Sequence, residues 1–303
     1  MKKILFATTA LIATAGMAAA EIKLSGYGRF GALYVEGGSP ETRIESRFRV
    51  NIDGTTTADN GLTFGARVRM QADDSSFDGQ GSAGAAGLSG ARFYAMAGGL
   101  TVGVGNILGA IDSMPNLYTG SIGLSGLGYA NVVSSFGADD FQSTGTGRNG
   151  VEVIYDGGQF GGHISYSNSD ADGTVNGVTL ERTAGHVSAT FNTITVALGF
   201  QDSNVATDTE WALTVGGKIG MGTVALAYAD NGTAGDKFTL SGDFEVGSAT
   251  SVQAYYTNDE AQVDEDAFGI GFKHDLGGGA SLRGGVAETH GTTRADMGVL
   301  FAF

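Results

Sequence analysis

Apolar and polar side chains alternate along this chain in runs of about eleven residues, well beyond the ~5–6 residues of an ordinary strand. From Arg43 to Asp53 every odd position is charged or amide, and every even position is apolar apart from Ser46. Leu62, Phe64, Ala66, Val68, Met70 and Ala72 then interleave with Thr63, Arg67, Arg69, Gln71 and Asp73. A period of two is a β-strand with two unlike faces. A soluble sandwich alternates too, but runs of this length match the ~9–11 residues with which a tilted strand crosses a bilayer. Hydrocarbon cannot satisfy an open strand edge, so membrane strands close into a barrel.

Strand-like runs lie near 22–35, 43–54, 62–73, 89–97, 100–107, 149–156, 160–168, 180–191, 193–201, 209–218, 222–229, 237–245, 249–257, 266–274, 280–288 and 293–303. Their number is even, as single-chain bacterial barrels require. Short connectors at Gly98-Gly99, Asp156–Gln159, Asn192, Gly247 and Asp275–Gly278 alternate with longer acidic ones around 74–88, 169–179, 202–208, 230–236 and 258–265. That sorting predicts short turns on one rim and long outward loops on the other. The expected fold is all-β: a transmembrane antiparallel up-and-down β-barrel of sixteen strands, with one long loop folded into its lumen.

Both ends agree. Lys2 and Lys3, the apolar stretch Ile4–Ala15 and the small residues Ala18, Ala19 and Ala20 before Glu21 read as a cleaved signal peptide over 1–20. A transmembrane anchor is the alternative, but the stretch is short for one. Residues 21–303 then form a single barrel domain exported through the periplasm to the bacterial outer membrane. At the other end Phe303, Phe301, Val299, Met297 and Ala295 occupy alternate positions. That strand is expected to close the barrel against the first one near Ile22 and Leu24, leaving no edge.

With no cysteine, disulfides and thiolate metal sites are excluded. Glycine-rich disorder is excluded as well: beside 52 glycines stand 17 Phe and 10 Tyr, with only 2 Pro. A net charge of −15 argues against a nucleic-acid partner.

The connector 108–148 is far longer than ordinary loops and too apolar for solvent, carrying Leu108, Ile111, Met114, Leu117, Leu124 and Leu127. It is expected inside the lumen, as a constriction; a surface lobe is the plainer alternative. Arg29, Arg47, Arg49, Arg67, Arg69 and Arg92 fall on the polar face of the first four strands. Counting from the connectors sets Arg29 level with Arg49, and Arg49 level with Arg67. Such a ladder repels itself unless acids oppose it, and Asp112, Asp139 and Asp140 on the long loop are the natural opposite. A solvated face is the bland reading. The sharp one is a pore constriction with a transverse field, favouring small polar solutes and ions, with mild cation preference.

The stretches Gly26–Gly31, Arg47–Ile52 and Gly61–Gln71, with Val104-Gly105-Asn106, Ser134–Gly137 and Phe303, resemble the general diffusion porins of purple non-sulfur bacteria. The resemblance runs over the whole mature chain and is densest before residue 107. It implies a sixteen-stranded homotrimer among outer-membrane lipids and lipopolysaccharide. It further implies an eyelet formed by the third loop, passive diffusion of small polar solutes, and a terminal Phe read by the outer-membrane assembly machinery. A substrate-specific channel and a secreted all-β binding or adhesion protein are the alternatives. Lumen aromatics at Tyr27, Tyr94 and Tyr255 are too scattered to favour the former.

Enzyme chemistry finds no footing. Gly26-x-Gly28-x-x-Gly31 spells a dinucleotide fingerprint but lies inside a strand and opens no helix. His163, His186, His274 and His290 lack ligand spacing, and no Gly-x-Ser-x-Gly elbow occurs. No cofactor is expected, with one exception. Asn168-x-Asp170-x-Asp172-Gly173 opens like a Ca²⁺ loop, although Thr179 stands where the bidentate Glu belongs. An acidic turn is the plainer reading; weak Ca²⁺ binding is the sharper one. If the leader is removed, intact-mass analysis of protein from outer membranes will show a chain beginning at Glu21; a mass retaining residues 1–20 would overturn that expectation.

Overall fold

The computed structural model describes residues 20–73, 87–175 and 178–303. Residues 1–19 of the predicted leader and residues 74–86 of the acidic connector expected around 74–88 lie outside the described residues. The wall begins with β1 (Glu21–Val35), β2 (Thr42–Thr57) and β3 (Thr63–Asp73), followed by β4 (Gly87–Leu88), β5 (Arg92–Ala97), β6 (Leu100–Asn106) and β7 (Asn149–Asp156). It continues through β8 (Phe160–Val175), β9 (Val178–Phe191), β10 (Ile194–Ser203), β11 (Glu210–Ile219) and β12 (Gly222–Asp230). β13 (Asp236–Glu245), β14 (Thr250–Asp259), β15 (Asp266–Gly277), β16 (Ala280–Thr289) and β17 (Thr293–Ala302) complete it. Apart from the short β4, each strand pairs antiparallel with its neighbours along the wall, and β17 returns to β1. The two-residue β4 and β5 both pair with β3 and share one place, giving a closed wall of sixteen strands.

Three boundaries differ from expectation. The fourth strand does not start at 89. Ser89 donates its amide to the Arg69 carbonyl, and Gly90 leaves the ladder where the Thr146 backbone crosses so closely that a Cβ would sit 1.8 Å from its carbonyl oxygen. The segment 169–179 is not a loop: β8 and β9 run on to pair Thr174 with Thr179 and Val175 with Val178, as β-branched residues favour. The seam lies higher than Ile22 and Leu24. Gly26 and Phe303 exchange both backbone hydrogen bonds, at 2.9 and 3.0 Å, and pairing continues to Val35 and Arg294. Packing sets this register. The Phe301 ring covers Gly28, where a Cβ would meet it at 2.4 Å, and the Phe303 ring stacks on Phe48 at 5.6 Å.

The even–odd pattern sorts as a membrane wall demands. Phe30, Phe93, Val151, Ile164, Leu226, Phe268 and Ile270 point outward and are exposed. Rings gather at both rims. Phe160, Phe191, Phe244 and Phe303 mark the short-turn side. At the other rim Trp211 packs on Tyr228 and Phe238 on Tyr256, whose hydroxyl donates to Asp266 at 2.7 Å. Apolar rings with polar tips suit the headgroup level.

The core of this molecule is inside the barrel. Ile111, Met114, Leu117 and Val133 of the long connector 107–148 pack on Ala184, Ala197, Ala212, Ala227 and Ala229. Ile122 and Leu127 pack with Leu33, Tyr255, Ala267 and Ala287. The inner face of β9–β16 is paved with Ala and Gly so that the loop can lie against it. A Cβ on Gly269 would meet Ile122 at 2.4 Å, and one on Gly199 would meet Met114 at 2.9 Å. Each large side chain buried this way contributes roughly 1.5–3 kcal/mol. Ile122→Ala should therefore weaken loop docking by about 2–5 kcal/mol without opening the wall. Limited proteolysis should cut the variant within 107–148 while the barrel keeps its heat-modifiable mobility; unchanged resistance would show that this packing does not hold the loop.

Candidate functional site

The register places the arginines differently from a level ladder. Arg29 stands opposite Arg47, and Tyr27 opposite Arg49, across β1 and β2. Across β2 and β3 the pairs are Arg47–Asp73, Arg49–Gln71, Asn51–Arg69 and Asp53–Arg67. Connector counting went astray because the two connectors set different offsets, so the cations are staggered along the lumen. Arg29 and Arg47 stand level, but each finds its own acid.

Arg29 holds Glu45 at 2.5 Å, both buried. Arg47 binds Asp73 at 2.5 Å, and Arg92 binds Glu152 at 2.5 Å. Arg67 grips Asp53 with two nitrogens, at 2.7 and 3.2 Å. These wall acids escaped the sequence reading, although Glu45 and Asp53 share the odd-numbered face with the arginines. Buried guanidiniums need such partners, since an uncompensated buried charge costs several kcal/mol.

Arg49 and Arg69 are the exceptions. Arg49 donates to Gln71 at 2.6 Å and to Ser143 at 3.4 Å. Arg69 donates to Asn51 at 2.9 Å, Ser143 at 3.0 Å and the Phe141 carbonyl at 3.3 Å. Neither has a carboxylate partner among the described residues. Arg49 lies over the Tyr27 ring at 5.3 Å and Arg69 over Phe141 at 4.6 Å, and Arg92 has Tyr94 beneath it. Aromatic faces support the cations without cancelling their charge.

Both line a cavity of about 820 Å³ together with the loop residues Asp112, Tyr118, Tyr129 and Asp140. Arg29, Arg47, Arg67, Arg92 and Asp139 are not among its lining residues. Asp139 is buried and held by Arg182 at 2.9 Å and Arg148 at 3.6 Å. Its place is structural: it ties the returning end of the loop to β9. Tyr118 and Tyr129 meet edge to face at 6.2 Å. Nothing in the linear pattern marks them as lining the opening.

The root of the loop is fastened by polar groups. Glu152 accepts from the Leu108 amide at 2.9 Å and meets His163 at 3.0 Å. His186 meets the Ala110 carbonyl at 2.6 Å, and Thr214 donates to the Pro115 carbonyl at 2.6 Å. Asp296 receives the amides of Leu124 and Ser125 at 2.9 and 2.7 Å. His186 thus anchors the loop directly, and His163 supports Glu152, which does the same. At the outer hairpin Asn168 donates to Glu181 at 3.2 Å. The side chains of Asp170 and Asp172 lie outside the described residues. Among the described residues no group of three or more His, Cys, Asp or Glu is placed to hold a metal ion.

A closed sixteen-strand wall with a loop across its lumen is the architecture of a channel, and the comparisons with known proteins bear on which. Residues 7–294 match the family model described as Gram-negative porin. This chain belongs to that family. It is 37% identical to a porin of Fuscovulum blasticum, over 93% of this chain and all of the relative. It is 31% identical to a porin of Rhodobacter capsulatus with the same coverage. A solved mutant of the Rh. blastica porin superposes with a TM-score of 0.81 at 33% identity, covering 93% of this chain and all of that one. The porin is a channel of the outer membrane and not an enzyme. The closed wall and this kinship overturn the secreted adhesion reading.

Burial pushes the Asp112 carboxyl above the ordinary carboxylate range, opposed by a hydrogen bond from the Tyr118 hydroxyl. A raised value means that Asp112 takes up its proton before ordinary carboxylates as pH falls. The porin should therefore lose cation preference on mild acidification, read as a shift in reversal potential across a salt gradient. Asp112→Asn should remove that first step; an identical pH profile in the variant would rule Asp112 out.

Proposed function

We propose that the porin passes small hydrophilic solutes and ions by passive diffusion through an eyelet between Arg49 and Arg69 on the wall and Asp112 and Asp140 on the loop. The observation that carries this is the 820 Å³ cavity lined by both guanidiniums, by both carboxylates and by Lys237. Charges fixed on opposite walls set a transverse field that favours dipolar solutes and disfavours apolar ones. In this proposal Arg29, Arg47, Arg67, Arg92 and Asp139 support the constriction through their ion pairs and do not face the solute.

A homotrimer fits the wall. The strands β5, β6 and β7 hold 6, 7 and 8 residues. At ~3.3 Å per residue and a tilt near ~40°, they rise roughly 15–20 Å, short of the ~25 Å apolar band. Their outward faces are apolar nonetheless, with Phe93, Val102, Val104, Val151 and Val153 exposed. A second copy covering this low sector resolves the mismatch. The remaining wall meets outer-membrane lipid and, at the outer rim, lipopolysaccharide. Export through the periplasm and recognition of Phe303 by the assembly machinery complete the proposal. Weak Ca²⁺ at Asn168, Asp170 and Asp172 belongs to the same outer rim, where a melting curve unmoved by millimolar Ca²⁺ would dispose of it.

Single-channel recording in planar bilayers tests the whole. Large ohmic steps grouped in threes are expected, and saturation by one sugar would favour a substrate-specific channel instead. Replacing Arg49 and Arg69 together by Gln should raise the cation-to-anion permeability ratio several-fold. An unmoved reversal potential would mean that they do not line the narrow part.

A further inference from the structure

Beside the eyelet, between the wall and the returning loop, lies a second and smaller space of about 80 Å³. Its charged lining is lopsided: four guanidiniums, from Arg29, Arg43, Arg47 and Arg294, surround one carboxylate, Glu45, and the Tyr129 ring stands at its edge. Glu45 forms an ion pair with Arg29 at 2.5 Å, although neither of its buried carboxylate oxygens has a hydrogen-bond donor. Arg47 is balanced by Asp73 from the neighbouring strand. The other nearby acid, Asp296, is turned to the amides of Leu124 and Ser125. Arg294 donates its Nε to the Thr289 hydroxyl at 2.9 Å. Arg43 has no carboxylate partner among the described residues, and the Nε atoms of Arg29 and Arg43 are both buried without a hydrogen-bond acceptor.

Buried guanidinium donors left without acceptors are costly, and an excess of cations in one enclosed space compounds the cost. What relieves both is an anion with several acceptor oxygens. Arginine forks match such oxyanions in pairs of parallel hydrogen bonds, which spherical chloride cannot accept. The space is too small for a sugar ring, and Leu127 and Gly128 complete its lining. We propose that this recess is a binding site for one small tetrahedral oxyanion, inorganic phosphate or sulfate, held chiefly by Arg43 with Arg29 and Arg294. Its occupant neutralises part of the cationic wall beside the eyelet, so the same channel is more cation-preferring in phosphate than in chloride. The site stands apart from the diffusion path, and its occupancy is measured without any current.

The test uses the full-length porin in detergent. Isothermal titration with inorganic phosphate at constant ionic strength should show one site per chain, and sulfate should compete for it. Phosphate should also raise the melting temperature above that in matched chloride. Arg43→Gln should weaken binding at least tenfold and abolish the thermal shift. Lys218→Gln, which removes an exposed cation at the opposite rim, should leave both unchanged. Absence of binding to the unaltered porin overturns the proposal even if the Arg43 variant fails to fold. So does an equal shift in chloride, or undiminished binding by Arg43→Gln. Glucose 6-phosphate serves as the organic arm: if it binds and inorganic phosphate does not, a small-ion site is refuted.

Discussion

Every strand crossing a bilayer must pass its backbone N–H and C=O groups to a neighbour on each side, because hydrocarbon supplies no substitute. The remainder of this structure follows from meeting that demand with a single chain. The seam between Gly26 and Phe303 closes the ring, and the aromatic residues of the last strand fit over glycines of the first. A closed wall in turn inverts the usual arrangement of a core. Large apolar groups face outward to lipid, and the inner face is free to be polar or small.

That inner face is divided. On β1, β2, β3, β5 and β7 it carries arginines and their acids; on β9–β16 it carries alanine and glycine, against which the long loop lies. The two halves are complementary. Small residues admit the loop's isoleucines and leucines on one side, so the loop's charged and aromatic edge is presented to the cations on the other. Docking and electrostatics are therefore coupled: a wider side chain at Gly269 or Ala212 would move Asp112 and Tyr118 as well as Ile122.

Much of this was legible in the linear pattern. Alternation of period two fixed strand type and facing, because side chains in a strand can point only two ways. Hence the polar face of Arg29, Arg47, Arg49, Arg67, Arg69 and Arg92 could be read directly, as could the excess apolarity of 108–148. Register could not. It depends on how Phe301 sits over Gly28 and on bulges such as that between Ser169 and Thr174, and a shift of two residues keeps every side chain on its face while changing every partner. For that reason the pairing of Arg29 with Glu45, or of Arg67 with Asp53, was out of reach although all four residues stood on one visible face.

The sequence by itself determined that this chain closes into a lipid-facing barrel with a cationic inner sector and a loop too apolar to stay outside. These are properties of periodicity and composition, which are local. Tertiary structure alone decided which of these cations have a carboxylate partner. Arg49 and Arg69 remain open because their cross-strand neighbours are Gln71 and Asn51, whereas the others meet carboxylates. It also decided that Asp139 is an anchor while Asp112 and Asp140 face the opening. The difference between them is set by distances of a few ångströms between residues far apart in the chain, and electrostatic interaction depends on those distances.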